Sequence, residues 1–102
     1  MQDAQTHSAP EGVAMFATGW CPYCVKAEAY LKSKGVSNLK KILVDQEQGE
    51  RERMLALSGG RRSVPQIFIA GVHVGGCDDL IALGSAKPHE LAALLERAGA
   101  LG

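Results

Sequence analysis

Two of the three cysteines stand two residues apart in the stretch "ATGWCPYCVKA", as Cys21 and Cys24, directly behind the single tryptophan, Trp20. Thiols at this spacing can form half of a tetrahedral metal site, close a small structural loop, or cycle between dithiol and disulfide as a catalyst. A zinc site needs a second pair of ligands, and His73 with Cys77, in an H-x3-C spacing, are the candidates. Roughly fifty residues of well-patterned sequence separate the pairs, whereas small zinc modules keep theirs on short loops.

The elements around the pair favour redox chemistry. "VAMFA" (13–17) is a short apolar run bounded by Gly12 and by Thr18 and Gly19, which fits a buried strand. From Pro22 the apolar or small residues Cys24, Ala27 and Leu31, together with Val25 and Ala29, recur at helical spacing. Pro22 suits the first helical position and Gly35 the residue after the last. A second strand is expected around Lys41 to Val44, then a charged helix with Met54, Leu55 and Leu57 inward, stopping at Gly59 and Gly60. "QIFIA" (66–70) and "VHVG" (72–75) lie close enough for an antiparallel hairpin about Ala70 and Gly71. "CDDLIALG" (77–84) places two acids in a first helical turn, and Pro88 opens a last helix with Leu91, Leu94, Leu95 and Ala98 on one face. A β-α-β unit followed by a hairpin and helices is a three-layer α/β arrangement with a mixed sheet.

A Cys-x-x-Cys at a strand-to-helix junction sets its first sulfur beside the free N–H groups of the helix start. That positive end favours thiolate, so Cys21 is the nucleophile. Cys24, one turn further in, is placed to attack a mixed disulfide on Cys21 and expel the partner. Pro65, directly before a strand in "RSVPQIFI", is either a cis turn facing the helix start or an ordinary trans proline at a strand's beginning.

With these residues in order, "CPYC" at 21–24, "SVPQIFI" at 63–69 and "GGCDDL" at 75–80, the chain from about Val13 to Gly99 closely resembles a dithiol glutaredoxin of the thioredoxin-fold superfamily. The resemblance implies a thioredoxin-like α/β fold with a four-stranded mixed sheet flanked by helices, and a cis Pro65 beside the active site. It implies no permanently bound cofactor, glutathione as cosubstrate, and reduction of protein disulfides and glutathione mixed disulfides. Partners would be glutathione, disulfide-containing or glutathionylated proteins and, through glutathione, glutathione reductase, with the protein a monomer. By position, Tyr23 would line the groove beside the sulfur and Val64, ahead of Pro65, would pair with the cysteinyl part of the tripeptide. The N–H groups of Cys77 and Asp78 would hold the γ-glutamyl carboxylate, and the Asp78 side chain its ammonium. Arg62 is either the partner of the glycine carboxylate or a solvated loop charge. Asp79 either binds or merely complements the helix dipole, and the Cys77 thiol is either a small groove-side side chain or a third redox group.

The flank departs from the family pattern. Many glutaredoxins carry a lysine three residues before the first cysteine, where this chain has Thr18, and Trp20 occupies the place that thioredoxins give to tryptophan. Two alternatives to glutathione-driven reduction follow: electrons from thioredoxin reductase, or a dimer holding an iron–sulfur cluster through Cys21 and glutathione, against which Pro22 argues.

The totals suit this reading. The chain's 102 residues, 46% hydrophobic, suffice for one domain at 13–102 behind a mobile tail at 1–12. Eleven basic residues balance eleven acidic ones, so no overall field draws it to nucleic acid or an anionic membrane. No apolar run approaches the roughly 18 residues that span a bilayer, and the start lacks a secretory pattern, so a cytoplasmic location is expected.

Overall fold

The structure, a computed structural model, describes residues 8–100. Four strands, β1 (Val13–Ala17), β2 (Lys40–Leu43), β3 (Gln66–Ile69) and β4 (Val72–Gly75), form one sheet in the order β2-β1-β3-β4. β1 pairs parallel with β2 and antiparallel with β3, and β3 pairs antiparallel with β4. The helices are α1 (Pro22–Ser33), α2 (Glu50–Leu57), α3 (Cys77–Ala86) and α4 (Pro88–Arg97). This is the thioredoxin-like fold: a mixed sheet between two helical layers.

The central strand explains why "VAMFA" has no polar alternation. Its side chains point alternately to the two faces of the sheet, and both faces are covered. Val13, Met15 and Ala17 join a core with Cys24, Ala27 and Leu31 of α1, Leu80 of α3, and Leu91 and Leu95 of α4. Ala14 and Phe16 join Ile42, Phe68 and Met54 on the other face, where α2 packs. Gly84 sets how closely α3 approaches α1, because a Cβ there would collide with the Tyr30 hydroxyl.

Several expectations are refined. The buried stripe of α1 is Cys24, Ala27 and Leu31, while Val25 is 66% exposed. On α2 only Met54 is buried; Leu55 and Leu57 lie at its margin. The hairpin turns at Ala70 and Gly71 with φ of 54° and 81°, the left-handed pair that matches the twist of two antiparallel strands. Of the expected tail at 1–12, residues 1–7, His7 among them, lie outside the described residues. Residues 8–12 run against the sheet: Pro10 is buried, Arg53 donates from Nη2 to the Ser8 carbonyl at 3.1 Å, and Ala70 donates to the Gly12 carbonyl at 2.9 Å.

Candidate active site

Cys21 closes the connection from β1 to α1. It is the N-cap residue in extended conformation, and its sulfur accepts a hydrogen bond from the Cys24 N–H at 3.1 Å. Pro22 occupies the first turn, where its missing N–H costs nothing. No acidic residue stands in that turn, so the positive helix end is left to the sulfur. Cys21 and Cys24 are joined as a disulfide, with Cα atoms 5.2 Å apart. Cys21 is half-buried and Cys24 buried, so one sulfur of the pair can be reached and the other is shielded. The pair is therefore an asymmetric disulfide, open to a thiol on the Cys21 side.

The peptide bond between Val64 and Pro65 is cis. The Val64 carbonyl oxygen lies 4.0 Å from Cys21 Sγ. From there a groove of about 180 Å³ runs along the loop to the start of α3, lined by Tyr23, Arg61, Ser63, Val64, Pro65, Gly76, Cys77, Asp78 and Asp79. Five of the residues expected in the binding groove thus come together: Tyr23, Val64, Pro65, Cys77 and Asp78. Arg62 does not line it; Arg61 does, with Nη1 3.2 Å from Asp79 Oδ2. Ser58 pins the main chain at this point: its hydroxyl accepts from the Arg61 N–H at 3.0 Å and donates to the Arg61 carbonyl at 3.2 Å. A loop has no periodicity from which the lining arginine could be read.

At the start of α3, Asp79 reaches back to accept the Gly76 N–H at 2.8 Å. That bond, with Arg61 adding to it against some burial, holds the Asp79 carboxyl below the usual range. Asp79 is thus engaged as a cap, while Asp78 is exposed on the groove. Cys77 is 4% exposed, and burial pushes its thiol pKa up, with Lys26 opposing and Asp78 adding to the shift. Burial and that direction of shift set it apart from an accessible, thiolate-favouring nucleophile.

A second recess, lined by Thr18, Gly19, Cys21, Cys24, Glu28 and Lys41 among others, lies on the disulfide's other flank. Burial alone would raise Glu28, but Lys41 and Lys32, at 3.2 and 3.3 Å, outweigh it and hold the carboxyl below its ordinary value. Thr18 donates its hydroxyl to the Trp20 carbonyl at 3.2 Å. Trp20 itself is 84% exposed. His73 turns its Nε2 to Gln66 at 2.7 Å rather than toward Cys77. Among the described residues, no three His, Cys, Asp or Glu side chains gather as a metal site.

Comparison with known proteins agrees with this geometry. The glutaredoxin family profile matches residues 13–74. Glutaredoxin 3 of Escherichia coli is 49% identical over 71 residues, covering 70% of this chain and 83% of that protein. The crystal structure of a wheat glutaredoxin superposes with a TM-score of 0.78 at 37% identity, covering 96% of this chain and 92% of that one. A buckwheat glutaredoxin in complex with glutathione does so with a TM-score of 0.77 at 29% identity, covering 99% and 91%. With the Cys21–Cys24 disulfide at the head of α1 and the fold complete around it, the chain belongs to the glutaredoxin family and is a glutathione-dependent thiol–disulfide oxidoreductase.

Proposed function

We propose that Cys21 is the nucleophile and Cys24 the resolving thiol, and that the groove between the Val64–Pro65 loop and α3 is the glutathione site. The observation that carries this is the position of the half-buried Cys21 sulfur, at an acid-free helix start and beside the groove wall. On a glutathionylated protein, the Cys21 thiolate attacks the glutathione sulfur, the disulfide breaks, and the protein leaves as a thiolate that takes up a proton. A second glutathione thiolate attacks the glutathione sulfur held on Cys21, releasing glutathione disulfide and restoring the Cys21 thiolate. On a protein disulfide, Cys21 forms the mixed disulfide and Cys24 attacks Cys21 Sγ. This expels the second protein thiol and leaves the Cys21–Cys24 disulfide, which two glutathiones then reduce.

In this reading the Val64 main chain pairs with the cysteinyl part of glutathione, and Tyr23 flanks its sulfur. The N–H groups of Cys77 and Asp78, which a helix start leaves without intrahelical acceptors, take the γ-glutamyl carboxylate. Asp78 takes the ammonium. Arg61, in the groove, replaces Arg62 as the partner for the glycine carboxylate. The buckwheat relative's complex with glutathione supports the assignment. A monomer fits the mechanism, since one chain carries both cysteines and the groove. Re-reduction by glutathione suits a reducing compartment, and the cytoplasm is the proposed location.

The test separates the cysteines and the electron donors together. Cys21→Ser loses all turnover. Cys24→Ser keeps deglutathionylation and loses protein-disulfide reduction, by about a hundredfold or more if the resolving attack is intramolecular. Turnover with glutathione and its reductase, and none with thioredoxin reductase, is expected; the reverse pattern overturns glutathione as donor.

A further inference from the structure

Among the described residues, two polar side chains are buried, Ser58 at 7% and Gln66 at 0% exposure, and both hold the same stretch of chain. Ser58 makes its paired bonds to the main chain of Arg61. Gln66 donates from Nε2 to the Ser63 carbonyl at 3.0 Å, with the Ser63 hydroxyl at 3.4 Å, and presents Oε1 to His73 Nε2 at 2.7 Å. An amide oxygen can only accept, so His73 Nε2 is the donor, in the neutral and the charged ring alike. His73 is stacked on Phe68, centroids 4.9 Å apart. A continuous relay therefore runs from the edge strand β4, through the head of β3, to the carbonyl immediately before Val64.

A fully buried amide is costly unless its bonds are made. Methionine would fill similar space without that requirement. The bonds fall where the chain most needs them: Arg61, Arg62 and Ser63 are exposed and follow Gly59 and Gly60, so little apolar packing fixes this loop. Yet its end forms the groove wall beside Cys21. We propose that Gln66, backed by His73, is a positioning residue for tripeptide recognition, pinning the Ser63 carbonyl so that the Val64 main chain is held ready to pair with glutathione. This rests on the groove being the glutathione site.

The experiment compares Gln66→Met, which makes neither bond; Gln66→Glu, whose carboxylate accepts from His73 and cannot donate to Ser63; and His73→Phe, which keeps the stacked ring and loses the bond. Two quantities are read: affinity of the reduced protein for S-methylglutathione by calorimetry, and the rate at which dithiothreitol, which makes no strand-like contact, reduces the Cys21–Cys24 disulfide. The Gln66 variants should bind about three- to tenfold more weakly, as for one buried hydrogen bond, with the dithiothreitol rate unchanged. His73→Phe should show a smaller loss in the same direction. Unchanged affinity in both Gln66 variants overturns the proposal, as does a dithiothreitol rate that falls in step with affinity, the mark of general disruption. Should the Gln66 variants not fold, unchanged affinity in His73→Phe overturns it. A wild-type protein that fails to bind S-methylglutathione removes the groove reading and this inference with it, whereas wild-type binding matched by the variants removes this inference alone.

Discussion

Two helix starts flank the Val64–Pro65 loop, and they are furnished in opposite ways. The head of α1 has no acid in its first turn, and its cap is the sulfur of Cys21. The head of α3 has two acids, Asp78 and Asp79, and a glycine cap. Each helix end carries a partial positive charge of similar size, so the difference lies in what remains of it for a ligand. At α1 the field is free to favour a thiolate. At α3 it is partly met already, and Asp79 is drawn aside to Gly76 and Arg61. Asp78 alone faces the groove as an unengaged acid, next to the helix-start N–H groups. A plain anion gains less there than a group carrying a carboxylate and an ammonium together, which is the γ-glutamyl end of glutathione.

Removing the acid from α3 is the strongest way to break this contrast. Asp78→Asn should raise KM for glutathione about tenfold through loss of a charge-assisted bond to the ammonium, with kcat little changed. If the α3 head bound only anions, the same substitution would lower KM. Steady-state kinetics at fixed ionic strength distinguish the two by sign.

Adding a cation at the head of α1 sharpens the contrast from the other side. Thr18 shares the recess of Cys21 and Cys24, and its present bond reaches only its own loop. Lysine there should favour the Cys21 thiolate and lower KM for glutathione. Alkylation of reduced protein at mildly acid pH should quicken by roughly two- to fivefold, the range of an exposed ion pair, and less in high salt. No change in alkylation rate or KM would mean that α1 alone sets the reactivity of Cys21.

Sequence pattern carried the fold and the chemistry here for identifiable reasons. A continuous apolar run marked β1 because both sheet faces are covered, and Cys-Pro-Tyr-Cys marked the helix start because proline suits its first turn. The groove was legible where residues are fixed by an element, as for Tyr23 on α1 and Cys77 and Asp78 on α3. It was less legible in the loop, where Arg62 was open between a partner for the glycine carboxylate and a solvated charge; Arg61 lines the groove there, its main chain pinned by Ser58 three residues back. Asp79 was open between binding and capping for a related reason. Two consecutive acids on a helix look alike in sequence, and only the reach of one carboxylate back to Gly76 separates them.

That separation predicts the smallest effect of the series, one confined to stability. The Asp79 carboxyl is held below its ordinary value of 3.8, chiefly by the Gly76 N–H, so its charged form stabilises the fold above the ordinary carboxylate range. The contribution is lost as pH falls through that range toward the folded-state value, because the protonated acid no longer favours the folded chain. Asp79→Asn keeps an oxygen that can accept from Gly76 and removes the charge. With the Asp79 side chain 50% exposed, solvent screens its pairing with Arg61, and the loss at neutral pH should be about 0.5 kcal/mol. Urea unfolding at pH 7 should therefore show the variant slightly less stable than wild type, and the two curves should converge in strong acid. A difference that persists there would show that Asp79 acts through its shape, and a fall in glutathione affinity comparable to that of Asp78→Asn would make it a ligand-binding acid after all.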